Sequence, residues 1–392
     1  MTQLPPLPPS APEPSPAGPP AGPPADVGAP TTTLAGQPAS SSVPPPVPRS
    51  GRPTWWGIRT VAVLEARQRL RSTRWKVALG VWAAIVGVVT LGIVMTIGEM
   101  GGADETAGRI SFGLVLLFVL MLGLLVAPTL SATSINGDRT TGTLAVLQAT
   151  TLSAWDIVLG KLAAAWVSAL AFLAVSTPFL LWAFALGGTP IAGALLGVIM
   201  VAFVLLVVCA IALAMSALVA RTSGSAVLTY LTVALLSIGT PIAFGLTSSF
   251  VSSGYEDVRV YGYANPGDDV CTWHEESRWV THTEHTAWML VPNPFTIVAD
   301  AGVLGMPSSG SSMGDDPMSV ISYAVRMTLA GGVGDVNECW SDDMPWTRDA
   351  HPVPYWPWGV GVYVLMGAGA TWFAARRLAI PARTLPKGTR IA

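Results

Sequence analysis

The sequence predicts an all-α integral membrane protein: six transmembrane helices preceded by an amphipathic interfacial helix, with an extracellular domain between the fifth and sixth spans. Three observations carry this. Only 11% of the 392 residues are charged while 51% are hydrophobic, against ~25% charged in a soluble domain. Long runs lack Asp, Glu, Lys and Arg altogether: Val77–Gly98, Ile110–Gly137, Leu162–Ala220, Thr222–Tyr255 and His351–Ala375. The basic residues gather at the ends of these runs rather than within them. A helix crosses a bilayer in ~20 apolar residues, so each run accommodates a span. A soluble helical protein would have to hide several such runs with no polar face, which a helix at a protein surface does not have. The formal charge of −2 provides no bulk attraction to nucleic acid or to anionic lipid, and no nucleic acid is expected as a partner.

Residues 1–54 hold 18 of the 33 prolines among Ala, Ser and Gly. They lack an apolar period and read as a disordered cytoplasmic tail. The start has no basic segment followed by an apolar core, so it is not a signal peptide. Residues 54–76 are helix-compatible, with Trp55, Trp56, Ala62, Val63, Ala66 and Leu70 on one side and Arg67, Arg71 and Arg74 beside them. Such a helix is expected to lie in the membrane interface, with Trp rings at the headgroups and guanidinium groups reaching lipid phosphate; the alternative is an early start of the first span.

The spans are expected near 77–98, 110–133, 156–186, 191–220, 224–250 and 358–375. Gly187-Gly188-Thr189-Pro190 breaks the longest run into two crossings joined by a tight turn. Residues 55–250 thus form a bundle of the interfacial helix and five spans. Pro128, Pro178 and Pro241 fall inside spans, where each removes a backbone donor and permits a bend. Ser153 and Asp156 form an S-x-x-D start signal, so Ser153 is expected to cap the third span.

Basic residues orient the chain. Arg67, Arg69, Arg71, Arg74 and Lys76 precede the first span, and Arg376, Arg377, Arg383, Lys387 and Arg390 follow the last. The positive-inside rule makes both termini cytoplasmic in a multi-pass protein of the plasma membrane. The same topology places 251–355 outside, where 15 acidic residues face four arginines. Tyr255, Tyr261, Tyr263, Trp273, Trp279, Trp340, Trp346 and Tyr355 mark that segment as an ordered domain. Cys271 and Cys339 both fall in it, on the oxidising side, and are expected to form a disulfide. Residues 287–295 are too Pro-broken to span and read as a re-entrant or interfacial dip. The sixth span, 356–376, and a basic cytoplasmic tail, 377–392, complete the chain.

Several chemistries are missing. No G-x-x-x-x-G-K-S/T loop occurs around Lys76, Lys161 or Lys387, so the chain is not expected to hydrolyse ATP. The apolar centres of the spans hold no ionisable group, which ion-coupled carriers and voltage sensors require. His274, His282, His285 and His351 lie in the wet acidic segment without the H-E-x-x-H spacing, so no metal site and no catalytic residue is assigned. What remains is a membrane domain that uses a partner's energy. The alternative is a non-transporting sensor or scaffold built on the acidic, Trp-rich outer domain.

The connection between the second and third spans bears on that choice. Its middle reads as a short helix with Leu144 and Leu147 on one face, and a short apolar-faced cytoplasmic helix calls for a partner. Asp138, Arg139, Gly142, Thr143, Leu144, Leu147, Thr150, Leu152, Ser153, Ile157, Leu159, Gly160, Lys161 and Leu162 follow a familiar pattern. That pattern resembles the signature of ABC (ATP-binding-cassette) transporter permeases of the type-2, exporter membrane family. Thr151 stands where that family commonly has Pro, and Ala145 where an acidic residue often follows Gly-Thr-Leu. Asn293-Pro294 is similar to the family's Asn-Pro before the last span.

The resemblance implies that 138–152 is a coupling helix seated in a groove of a separate ATPase subunit. Asp138, Arg139, Gly142, Thr143, Leu144, Leu147, Thr150, Leu152 and Ser153 would make that contact. It further implies a second permease copy or a paralogue completing the pathway, and ATP and Mg bound by the partner with no cofactor in this chain. Lipid surrounds the bundle. The uncharged span faces favour an amphipathic or apolar substrate, because they offer no buried counter-charge.

Overall fold

Residues 53–101, 105–143, 152–248, 250–251, 253–263, 270–305, 316–331, 336–337 and 353–379 are described by the computed structural model. Several expectations fall outside them: nearly all of the 1–54 tail, most of the 377–392 tail, and Leu144, Leu147, Thr150, Cys339 and His351.

Helix α1 (Trp55–Arg71) begins where the Thr54 hydroxyl accepts from the Gly57 N–H, an N-cap that satisfies one orphan donor. Ser72, in extended conformation, separates it from α2 (Thr73–Gly101). Next come α3 (Glu105–Ser131), α4 (Ser134–Thr141), α5 (Ala154–Ala185) and α6 (Ile191–Leu218). The continuous stretch α7 (Thr222–Ser248) contains a π turn at Leu235–Gly239. Helices α8 (Pro294–Gly302), α9 (Pro317–Ala330) and α10 (Trp356–Leu378) complete the helical set among the described residues. Six of these helices are long and apolar enough to cross a membrane, in the regions anticipated from the charge-free runs: α2, α3 continuing into α4, α5, α6, α7 and α10.

The core lies where α3, α5 and α6 meet. Phe112, Leu116 and Leu120 of α3, Val158 and Ala165 of α5, and Val201, Val204 and Leu213 of α6 are buried there. Trp82 of α2 reaches in, its indole N–H donating to the Ser176 hydroxyl at 2.9 Å and its ring edge-on to Phe172. By contrast α2 and α7 expose rows of Val, Leu and Ile: Val77, Val81, Ile85 and Val88 on one, Val227, Leu231, Leu235 and Ile238 on the other. Such rows suit a hydrocarbon environment and would be unstable in water.

The segment between α7 and α10 carries elements that the composition did not specify. Strands β1 (Ser253–Gly262) and β2 (Thr272–Thr281) pair antiparallel, and β3 (Val336–Asn337) adds parallel to β1. Strand β1 alternates, with Val258 and Val260 buried and Tyr255, Asp257 and Arg259 outward, as a half-buried strand must. Cross-strand rings Tyr255/Trp279 and Tyr261/Trp273 lie 5.3 and 5.1 Å apart, pairs that stabilise a ribbon.

The Pro-broken 287–295 stretch forms a 3-10 turn at Ala287–Leu290 and then enters α8. Residues of α8 are buried against α6 and α10: the Gly302 carbonyl meets Gly193, and Ile297 meets Gly359. The buried Asp300 carboxylate then gathers the surrounding chain. It accepts from Ser322 at 2.7 Å, from Arg326 at 2.5 Å, and from the backbone N–H groups of Tyr355 and Trp356 at 2.9 and 2.8 Å. The last two bonds satisfy orphan donors at the start of α10.

Candidate functional site

One cluster of buried polar groups lies where α1, α4 and the start of α5 meet. Helix α1 packs on α5 through Gly57, Val61, Glu65 and Arg69, spaced every four residues along one face. Its apolar stripe points the other way, with Trp55 at 78% and Trp56 at 76% exposure. Close approach requires small residues: a Cβ on Gly160 would come within 2.6 Å of the Val61 Cβ, and one on Gly57 within 2.7 Å of the Asp156 carboxyl carbon.

Asp156 fastens both helix starts. Its carboxylate accepts from the Ser153 N–H at 2.9 Å and hydroxyl at 2.8 Å, while the Ser153 hydroxyl accepts from the Asp156 N–H at 3.1 Å. This is a reciprocal capping box for α5. The other carboxylate oxygen accepts from the Thr54 N–H at 2.6 Å and hydroxyl at 3.1 Å, so a single side chain ties the entry of α1 to that of α5.

One turn further along α5, Lys161 is buried, its side chain 1% exposed. Its ammonium pairs with Asp138 of α4 at 2.5 Å and with Glu65 of α1. A buried ammonium demands such partners because solvent cannot stabilise it. The two carboxylates reach it from different elements, so one cation joins α1, α4 and α5.

Helix α4 is held on its other side as well. The Ser216 hydroxyl of α6 accepts from the Ile135 N–H at 3.0 Å and donates to the Asn136 side-chain amide oxygen at 3.1 Å. The Asn136 amide donates to the Ser225 hydroxyl of α7 at 2.9 Å. Asn136, Ser216 and Ser225 are fully buried, so these bonds are made where an unpaired group is costly. Arg69 adds a further tie: its guanidinium donates to the Leu130 carbonyl at 2.7 Å and to the Ser168 hydroxyl at 3.2 Å. Leu130 is among the last four carbonyls of α3, which lack intrahelical partners. Burial lowers the Arg69 pKa from its ordinary value.

The anticipated coupling residues thus divide. Asp138 turns inward to Lys161. Arg139 is half-buried in the last turn of α4, where a cation complements the helix dipole. Gly142 ends that helix with φ +76°, a left-handed cap that favours glycine. Thr140, Thr141, Gly142 and Thr143 are exposed, and the Thr143 hydroxyl donates back to the Asp138 carbonyl at 3.3 Å. Leu152 packs half-buried against the core, and Ser153 is occupied by the capping box. Leu144, Leu147 and Thr150, the face expected to meet a partner, lie outside the described residues. Glu65, Asn136, Ser216 and Ser225 were not singled out from sequence. A lone lysine near the start of an otherwise uncharged run was the available signal, since such a charge requires a partner.

A second polar junction involves the Asn-Pro pair. Pro241 has no N–H, so the Ser237 carbonyl loses its helical partner. The Asn293 amide donates to that carbonyl and to the Thr240 hydroxyl, both at 2.9 Å. The Asn293 side-chain amide oxygen meanwhile caps α8, accepting from the Phe295 and Thr296 N–H groups. The gap that Pro241 leaves in the backbone ladder of α7 is therefore filled by a neighbouring element.

Elsewhere, Cys209 is a free, buried thiol, while Cys271 is disulfide-bonded and Cys339 lies outside the described residues. His282 is bridged by Glu284 at 2.8 Å and Glu256 at 3.0 Å. No cluster of three or more metal-ligating side chains occurs among the described residues.

Six helices long and apolar enough to cross a membrane, with an ion-paired elbow joining α1, α4 and α5 and the tip of α4 exposed, define a multi-pass membrane protein. Residues 59–256, just over half of the chain and including Glu65, Asp138, Asp156 and Lys161 of the elbow, match the ABC-2 family transporter protein family. The chain belongs to that family and is a transporter membrane subunit, of a kind that associates with an ABC ATPase subunit. No curated protein matches it.

Proposed function

We propose that the chain is the permease subunit of an exporter that moves an amphipathic or apolar substrate outward, driven by a separate ATPase that binds ATP and Mg. The chain itself carries no catalytic residue or cofactor. It works as two copies, or as one copy with a paralogue, in the plasma membrane with both termini cytoplasmic. The 138–152 segment seats in the ATPase, with Leu144 and Leu147 facing it. Asp138 acts from inside, transmitting movement of the segment to α5. Helix α1 lies in the membrane interface, and 251–355 forms an extracellular domain closed by a Cys271–Cys339 disulfide.

The observation that carries this reading is the buried Lys161 shared by Asp138 and Glu65. The exposed end of α4 cannot shift without moving α5 or breaking that pairing, so a push from a partner becomes rigid-body motion of a span. The absence of charge from the apolar centres of the spans supports the substrate class.

Affinity purification in mild detergent followed by mass spectrometry tests it. A stoichiometric ATPase subunit is expected, lost in Leu147→Asp while membrane insertion persists. A chain that never carries a nucleotide-binding partner, in several mild detergents, would overturn the reading. Non-reduced peptide mapping tests the disulfide: both cysteines alkylatable without reductant would exclude it.

A further inference from the structure

Beside the junction of α1 and α2, an open groove of about 890 Å³ runs between α2 and α3, within the ~300–1,000 Å³ typical of small-molecule sites. Val77, Val81 and Ile85 of α2 and Leu122 and Val126 of α3 form its walls, and Trp75, Trp82 and Phe172 its floor. Gln68, Ser72 and Arg74 line the end nearest α1. The groove is therefore amphipathic lengthwise, polar at one end and apolar along the rest.

We propose that this groove binds an anionic phospholipid, one acyl chain lying along α2 and α3 and the phosphate held at Arg74. This goes beyond the exporter reading and does not depend on it.

Length supports a lipid chain. From Trp75 to Ile85 is ten residues, ~15 Å of helix rise, about half of a ~30 Å hydrocarbon core. The apolar part thus matches one leaflet. Position supports it as well, because Val77, Val81 and Ile85 are 59%, 53% and 43% exposed on a membrane-length helix, so the groove opens sideways toward lipid.

Charge selects the headgroup. Between Thr54 and Gly98 there are six basic residues and a single acid, Glu65, and that acid is engaged by Lys161. Arg69 is committed to the Leu130 carbonyl and Ser168, so it closes the inner end of the groove without contacting the headgroup. Arg74 lines the mouth and is exposed, and Arg71 and Lys76 are exposed on the same turn of chain. Guanidinium groups at headgroup depth attract anionic lipid, each basic residue contributing about a fivefold preference. A zwitterionic lipid would fill the same apolar groove without that selection.

The test is native mass spectrometry of the purified full chain after equilibration with equal amounts of chain-matched phosphatidylglycerol and phosphatidylcholine. Wild-type protein should retain one phosphatidylglycerol per protomer, at least about fivefold over phosphatidylcholine. Arg74→Gln should remove about fivefold of that preference, and Val81→Trp, which fills the groove, should abolish retention of both lipids. Arg59→Gln, on α1 away from the groove, should change neither. Equal retention of the two lipids by the wild type would overturn the proposal whether or not the variants fold. So would an unchanged preference in Arg74→Gln, or a dimer that excludes lipid and dissociates in Val81→Trp, which would place a second copy in the groove.

Discussion

Lys161→Met is the most informative single change in the elbow, because it removes the cation and leaves two carboxylates facing one another. Methionine fills nearly the same volume, so packing is conserved and the effect is electrostatic. Breaking a buried ion pair by deleting one partner costs about 3–5 kcal/mol, against ~0–1 kcal/mol for a surface pair. Glu65 and Asp138 keep 20% and 27% of their side-chain surface exposed, which places the expected loss near the lower end, about 3 kcal/mol. Replacing all three charges, with Glu65→Gln and Asp138→Asn added, should recover most of that loss, since neutral groups of similar shape leave no uncompensated charge. Unfolding of the purified protein in a denaturing-detergent titration measures both. A loss below about 1 kcal/mol in Lys161→Met, or a triple variant no better than the single, would refute the claim that the elbow is held by this buried cation. With the ATPase subunit present, the triple variant should fold yet show ATPase activity poorly coupled to transport, since the electrostatic tie between α4 and α5 is gone.

Three further outcomes follow from the geometry. Gly160→Leu should lift α1 from α5, because even a Cβ there meets Val61 at 2.6 Å; limited proteolysis within 53–72 should accelerate, and unchanged cleavage would contradict the close packing. Asn293→Ala removes a helix cap, ~1 kcal/mol, and strands the Ser237 carbonyl, ~1–3 kcal/mol. Hydrogen exchange across 235–241 should rise, and an unchanged rate would show that Asn293 does not hold this turn. His282, hydrogen-bonded first by Glu284 and then by Glu256, with the His285 ring 5.8 Å away, has its pKa raised. Its contribution is fully present below about pH 6.5 and is lost as pH rises through the raised folded value. Hydrogen exchange of β1 and β2 should therefore be slower at pH 5.5 than at about pH 8.5 once corrected for intrinsic rates, and His282→Gln should flatten the difference.

Much of the helical layout was legible because the bilayer imposes one strong requirement. A span must be about twenty residues long and nearly free of charge, and the runs beginning at Val77, Ile110, Leu162 and Thr222 satisfy it visibly. The Gly187–Pro190 break and the Ser153/Asp156 start signal are local chemistry, so they too appear in the sequence. The strand pair at 253–281 was hidden, because Tyr, Trp and acidic residues suit several irregular structures, and only the pairing of Tyr255 with Trp279 and Tyr261 with Trp273 selects the ribbon. The motif residues Asp138 and Lys161 could be recognised as a pattern. That they touch each other, and that Glu65 from α1 completes the group, depends on how three helices pack.

Sequence alone determined what must avoid water, where the chain turns, and that Ser153 caps α5, since each depends on residues within a few positions of one another. Tertiary structure decided the partners of the polar groups. Arg69 could have served a lipid phosphate and instead holds the Leu130 carbonyl. Asn293 could have been only a cap and also supplies the donor that Pro241 denies Ser237. A buried polar group must find a partner, but that requirement does not say which one. The choice is made by the approach of helices distant in sequence, 96 residues apart for Lys161 and Glu65.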